Sequence, residues 1–255
     1  MDLSYTLLGI VVGILVGITG VGGGSLVTPA LTLFGIHPAV AVGTDLAFAG
    51  LTKTFGTIVH RSRGSVEWRI ARLLVFGSCP AAVITILVLA ATGSHIKGGL
   101  INTILAVALV LTAVVLLVGR GTVVRIAVRY EKHIANHRVP LTIAAGMLLG
   151  VLVTLSSIGA GALGATFLVT LYPRLSATRV AGTDIAHAVP LTTIAGLGHF
   201  WLGSVDVLLL ASLLMGSVPG IVLGSYASGR FPDRVVRGLL ATVLLMVGVR
   251  IAVFV

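Results

Sequence analysis

The sequence predicts an all-α integral membrane protein built from two related halves that are inverted relative to each other. Of its 255 residues, 57% are hydrophobic and only 9% are charged, whereas a soluble domain carries about 25% charged residues. A soluble chain of this size could not bury so much apolar surface, but a bilayer accepts it in spans of about 20 residues. The net charge of +10 comes from basic residues in short loops, which is the pattern of the positive-inside rule. We therefore expect a lipid environment and no nucleic-acid partner.

Apolar runs separated by glycine, proline and charged residues divide the chain into ten predicted segments. The second and seventh segments are short, and a glycine-rich break precedes each of them. These breaks predict short, broken helices at positions two and seven. The ten segments are residues 3–19, 23–35, 38–60, 68–91, 97–118, 140–157, 160–173, 176–200, 205–228 and 234–254.

An internal repeat relates the first five segments to the last five. Residues 37–80 align without gaps on residues 176–219, at a constant offset of 139. Gly-Thr-Asp at 43–45 falls on the same tripeptide at 182–184, and Gly-Ser-Val-Glu at 64–67 falls on Gly-Ser-Val-Asp. Chance similarity between apolar runs does not align polar motifs in register. The predicted organisation is therefore a first membrane repeat at 1–118, a basic cytoplasmic linker at 119–139 and a second, inverted membrane repeat at 140–255.

The positions of the basic residues orient the two halves. Arginines after the third segment, in the linker and before the tenth segment predict a cytoplasmic side for those loops. The loop at Gly64 is then cytoplasmic, while its repeat partner at Gly203 is external. Because each half has an odd number of segments, the halves are inverted and both termini lie outside. Inverted repeats with glycine-broken segments in matching positions are typical of secondary transporters.

The two glycine-rich breaks form the predicted substrate site. A helix that begins after such a break directs free N–H groups and the positive end of its dipole toward whatever precedes it. Two such starts would bind a small anion between them. The alternative is close helix packing through small residues, as at Gly13-x-x-x-Gly17 and Gly146-x-x-x-Gly150. The residues of this candidate site are Gly22, Gly23, Gly24, Ser25, Ser156, Ser157, Gly159, Ala160 and Gly161.

Four ionisable side chains inside the apolar segments are further candidates. Lys53 lies midway along the third segment, where an ammonium needs a cavity or a partner; it could contact the anion, pair with Asp45 or snorkel. Asp45 and Asp184 are repeat partners, and they could carry a coupling proton or could cap helix starts, which is the simpler interpretation. His187 follows Asp184 by one turn and is a candidate for proton coupling, with a structural interior histidine as the alternative.

Several of these motifs resemble those of the TauE/SafE family of sulfite and organosulfonate exporters. They are the break at residues 17–25 with Pro29, Ala-Val-Gly-Thr-Asp at 41–45, Gly-Ser-Val at 64–66 and Gly-Ser-x-Pro at 77–80. The resemblance covers nearly the whole chain, although the second break lacks the triple glycine of the first. It implies a transporter in the plasma (inner) membrane of a prokaryote, which exports small sulfur-containing anions such as sulfite or a sulfonate.

The predicted mechanism is alternating access, and two other functions are considered beside it. No sequence matches the phosphate-binding loop G-x-x-x-x-G-K-[ST], so a gradient rather than a nucleotide would supply the energy. An anion channel is one alternative, and an intramembrane aspartyl enzyme that uses Asp45 and Asp184 is a weaker one. We expect neither enzymatic activity nor a cofactor or metal, and we leave a homodimer open.

Overall fold

The computed structural model describes residues 3–19, 26–62, 64–92, 98–159, 161–227 and 233–253. These residues form α-helices joined by short turns, and no β-strand occurs among them. The helices, numbered in chain order, are α1 (Leu3–Thr19), α2 (Val27–Leu33), α3 (Pro38–Ser62), α4 (Trp68–Thr92), α5 (Gly98–Ala135), α6 (Arg138–Ser156), α7 (Ala162–Leu171), α8 (Ala177–Trp201), α9 (Val207–Ala227) and α10 (Asp233–Val253).

Each helix lies on one of the predicted segments, and the predicted short elements are confirmed. Helix α2 has 7 residues and α7 has 10. The main addition is at α5, which continues through the predicted linker as helix instead of ending before it. The helix bends at Gly119, where a φ of 72° favours glycine. The piece Leu105–Gly119 meets the piece Gly121–Arg129 at 85°, so the basic linker turns away from the apolar segment.

Several helices have the length and apolarity that a membrane span requires. Within the part of the chain that the structure describes, three meet both criteria alone, namely Trp68–Thr92, Arg138–Ser156 and Val207–Gly224, and the bent pair in α5 would make a fourth. Shorter apolar helices occur at Leu3–Leu15, Ala162–Leu171 and Ala241–Val253. Helices α3 and α8 fall outside this set because they carry buried polar and charged residues, which lower their apolarity.

Helix α1 packs on α9 in the same way that α6 packs on α4. A Cβ added to Gly9 would lie 3.1 Å from the Cα atom of Leu213, and one on Gly146 would lie 3.2 Å from that of Leu74. One turn further along, a Cβ on Gly13 would lie 2.8 Å from Ser217 Cα, and one on Gly150 would lie 2.9 Å from Ser78 Cα. Leu74 and Leu213 are repeat partners, and so are Ser78 and Ser217. Small residues thus allow the same close contact twice, each time between a helix of one half and a helix of the other.

A second set of reciprocal contacts crosses between the halves at α3 and α8. The hydroxyl oxygen of Thr44 accepts the N–H of Asp206 at 3.1 Å, just before α9. The hydroxyl oxygen of Thr183 accepts the N–H of Glu67 at 3.0 Å, just before α4. Thr44 and Glu67 align on Thr183 and Asp206 in the repeat. Each half therefore contributes a threonine that holds the turn of the other half.

The linker end of α5 is anchored to the second half through Glu131. Its carboxylate accepts a hydrogen bond from Arg138 at 2.9 Å and one from Arg174 at 3.2 Å. The hydrogen bond from Arg138 lowers the pKa of Glu131, and Arg174 adds to this effect. The Arg138 guanidinium also lies 5.6 Å from the centre of the Tyr172 ring, within the range of a cation–π contact.

Candidate functional site

The polar residues of α3 and α8 form a cluster where these two helices pack together. Asp45 and Lys53 come from α3, and Asp184 and His187 come from α8. Their exposed fractions are 0%, 4%, 3% and 0%, respectively. Close contact between the helices is possible at Gly196, where an added Cβ would lie 3.1 Å from the N atom of Ala47. Ionisable groups at this depth are costly and mark functional sites in membrane proteins.

Asp45 caps a helix, but not the helix to which it belongs. The first turns of α3 and α8 contain no acidic residue, because both helices begin about two turns before their aspartates. The prediction that Asp45 and Asp184 cap the starts of their own helices is therefore wrong. Asp45 Oδ2 instead accepts the N–H of Thr28 at 3.1 Å and its hydroxyl at 2.6 Å. Thr28 lies in the first turn of α2, so the carboxylate satisfies the start of the first short helix.

The second glycine-rich break reaches the same carboxylate through Ser157. This serine follows α6 in a left-handed conformation with a φ of 56°, and its side chain is close enough to interact with Asp45. Neither Ser157 Oγ nor Asp45 Oδ1 has a partner in hydrogen-bonding geometry. Asp45 therefore lies between the start of α2 and the break that precedes α7.

Asp184 occupies a related position at the start of the second short helix. Its carboxylate lies directly against Gly164, in the first turn of α7, so that an added Cβ would come within 3.0 Å of Asp184 Cγ. Gly161 precedes this helix with a φ of 141° and makes no side-chain cap. Asp184 Oδ1 is buried without a hydrogen-bond partner. Each short helix thus begins beside the aspartate of its own half, but only Asp45 is held by a threonine.

Lys53 supplies positive charge that acts on both of these carboxylates. It interacts electrostatically with Asp184 and with Asp45, and its charge also reaches His187. The predicted partner Asp45 is therefore joined by Asp184. The repeat partner of Lys53 is Thr192, whose hydroxyl donates to the carbonyl of Ala188 within its own helix at 2.8 Å. The cluster consequently has a cation from the first half only.

His187 connects the cluster to α4. Its Nε2 atom lies 3.0 Å from the hydroxyl oxygen of Ser78, while its Nδ1 atom is buried and lacks a hydrogen-bond partner. The repeat partner of His187 is Phe48, which belongs to an apolar cluster with Leu31 and Leu213. Like Lys53 in the first half, His187 thus has no equivalent at the repeat-related position, and it comes from the second half.

The structure brings together part of the site that the sequence predicts. Ser157, Lys53, Asp45, Asp184 and His187 form or border one cluster. At the second break, Gly159 has a φ of 122°, a backbone conformation that favours glycine. The hydroxyl of Ser156 donates to the carbonyl oxygen of Leu152 at 2.6 Å, within α6. Gly22, Gly23, Gly24, Ser25 and Ala160 lie outside the described residues.

Three residues of the cluster were missing from the predicted site, namely Thr28, Ser78 and Gly164. Ser78 belongs to the repeated Gly-Ser-x-Pro motif, which indicated the duplication but gave no reason to place this serine beside a histidine. Thr28 follows the first break closely, and that position could have suggested a role at the start of α2. Nothing in the sequence distinguishes Gly164 from the other glycines of the chain.

The fold and this site define a class of protein. Apolar helices of spanning length pack against two helices with buried charges, and two short helices begin at the charged cluster. This arrangement is that of a multi-pass membrane transporter, in which broken helices place their ends at a buried polar site.

Comparison with known proteins identifies the family within that class. The family model described as "Sulfite exporter TauE/SafE" matches residues 5–251. The chain belongs to this family of membrane transporters, as the sequence motifs predict.

The relatives agree with this assignment. The probable membrane transporter protein YjnA of Bacillus subtilis strain 168 is 37% identical over 255 residues, which cover 98% of this chain and 100% of the relative. The probable membrane transporter protein YdhB of the same strain is 28% identical, over 88% of this chain and 89% of the relative. No solved structure matches the chain.

Proposed function

We propose that this transporter exports small sulfur-containing anions, of the sulfite and organosulfonate class, by alternating access. The transporter would lie in the plasma (inner) membrane of a prokaryote, with both termini outside. The observation that carries the proposal is Lys53, a cation buried among carboxylates of both halves. A buried ammonium is costly, and an anionic substrate gives this one a use beyond an internal ion pair.

The two breaks complete the proposed anion site. Ser157, Gly159 and Gly161 would contribute hydroxyl and backbone groups from the second half. Ser156 and Ala160 would belong to the same second-half side of the site. The first half would contribute the same kinds of group from Gly22, Gly23, Gly24 and Ser25. The proximity of Ser157 to Asp45, which binds the start of α2, supports a common site for the two breaks.

The reciprocal helix contacts support two inverted repeats, at 1–118 and 140–255, joined by the linker at 119–139. Two halves with equivalent contacts can exchange roles, and that exchange would open the site first to one side and then to the other. For an anion, an interior-negative potential favours efflux by about 2.3 kcal/mol per charge at 100 mV. A membrane potential could therefore contribute to export without a nucleotide.

Flux measurements on proteoliposomes test this function. We expect wild-type protein to exchange labelled sulfite or a sulfonate, with saturation and counterflow. Lys53→Met should reduce this exchange at least tenfold, because the site loses its cation. The matched control is Thr192→Val, at the repeat-related position, which should retain transport because the threonine hydroxyl bonds only within α8.

Three results would contradict the proposal. Normal exchange by a folded Lys53→Met protein would remove Lys53 from the anion site. Flux that neither saturates nor shows counterflow would indicate an anion channel instead of a transporter. Binding of cations alone, across a panel of small ions, would exclude the substrate class.

A further inference from the structure

The two aspartates of the cluster differ in how their charge is compensated. Asp45 accepts two hydrogen bonds from Thr28 and also lies near Ser157. Hydrogen bonds to a carboxylate favour its ionised form. Asp184 lies against the Cα atom of Gly164, and its Oδ1 atom has no hydrogen-bond partner. The main compensation for a charge on Asp184 is therefore the ammonium of Lys53, which interacts more strongly with Asp184 than with Asp45.

No other described side chain of the cluster replaces Lys53 in this role. The other groups of the cluster are Asp45, which is itself anionic, and His187, whose Nε2 atom is paired with Ser78 of α4. A second positive charge on His187 would lie near the charge of Lys53. Cys79 follows Ser78 in α4 and is half-buried, and α7 contains no titratable residue.

An anion bound by Lys53 would leave Asp184 without its counter-charge. A buried carboxylate that loses its partner carries a large desolvation cost, and a proton removes that cost. We propose that Asp184 binds one proton when an anion occupies Lys53, so that the transporter moves anion and proton together. This inference rests on the proposed anion site. It gives the repeat-related aspartates different roles, because Asp45 holds the two breaks in place and Asp184 exchanges the proton.

The coupling is reciprocal, since an anion that favours protonation of Asp184 is itself bound more tightly when that proton is present. The transported complex then carries one negative charge fewer than the free anion, so a membrane potential drives the export of a divalent anion but not that of a monovalent sulfonate, which moves as a neutral pair. A sulfonate such as isethionate is a useful probe because its own charge does not change near neutral pH. Its binding should take up about one proton per anion wherever free Asp184 is ionised.

The first experiment requires no anion. Replacing Lys53 with methionine removes the same counter-charge that an anion would occupy. Infrared spectra of purified Lys53→Met should therefore contain the carbonyl stretch of a protonated carboxyl group at neutral pH. Adding Asp184→Asn should remove this band, whereas adding Asp45→Asn, the matched control, should leave it. Lys53→Gln serves as a second neutral variant if the methionine protein does not fold.

Loss of the band with Asp45→Asn instead of Asp184→Asn would overturn the inference, and so would the absence of any band in folded Lys53→Met and Lys53→Gln.

The second experiment measures proton uptake when isethionate or sulfite binds to the wild-type protein. Asp184→Asn should bind the sulfonate without proton uptake; unchanged uptake would place the proton elsewhere, with His187 as the next group to test. If the band follows Asp184 but neither anion binds, the pairing of Asp184 with Lys53 stands and the proposed export function fails.

Discussion

The two halves of the molecule share a scaffold but differ where it is polar. Their helix contacts match closely, as at Gly9 and Gly146 or at Thr44 and Thr183. At the buried cluster the match ends, because Lys53 aligns on Thr192 and His187 aligns on Phe48. Backbone packing can remain symmetric while the site loses symmetry. A duplicated scaffold needs two equivalent halves in order to change state, whereas one substrate needs only one set of binding groups.

Among substitutions that test this difference between the halves, Gly164→Ala should have the largest effect on stability and transport. The new methyl group would meet the Asp184 carboxylate, so the carboxylate or α7 must move, at a cost of about 1–3 kcal/mol for overpacking. We expect a lower unfolding temperature and weak transport. Gly121→Ala is the control, because a Cβ at that helical position meets nothing within 4 Å and alanine favours helix. Equal unfolding temperatures for the two variants would contradict this placement of Asp184.

A smaller effect is expected for Thr28→Val, which tests the first half alone. Valine keeps the shape of threonine but removes the 2.6 Å hydrogen bond to Asp45, and loss of a hydrogen bond to a charged group costs about 1.5–3 kcal/mol. The N–H of residue 28 still donates to Asp45, so the net loss should fall at the lower end of that range. Denaturant unfolding measures it.

Thr32→Val is the matched control for this prediction. The hydroxyl of Thr32 donates only to carbonyl oxygens of α2, so its removal should change stability by a few tenths of a kcal/mol, as for surface substitutions. If Thr32→Val destabilises the protein as much as Thr28→Val, the hydrogen bond to Asp45 has no special role.

Sequence patterns predicted the helices and the two short elements well, because apolar run length and glycine-rich breaks are local signals. They also predicted which ionisable residues are buried, since a charge inside an apolar run has few other places to lie. The partners could not be predicted. Asp45 bonds to Thr28 and His187 to Ser78, and these pairs depend on how distant helices pack.

The error about capping has the same origin. A Gly-Thr-Asp motif close to a predicted helix start suggested that each aspartate caps its own helix. The helices begin at Pro38 and Ala177, essentially where the segments at 38–60 and 176–200 were predicted to begin. The carboxylates therefore lie about two turns inside and face the short helices instead. Only the three-dimensional packing of α2 on α3 and of α7 on α8 reveals which helix start each aspartate serves.

We propose that the two halves lie in the membrane in opposite directions around one asymmetric site. Cysteine labelling tests it most directly, in a Cys79→Ser background, at the repeat-related positions Ser62 and Trp201. Both side chains are exposed. A membrane-impermeant maleimide added to intact cells should label Trp201→Cys at once and Ser62→Cys only after the membrane is opened. Labelling of both cysteines from the same side would contradict the inversion.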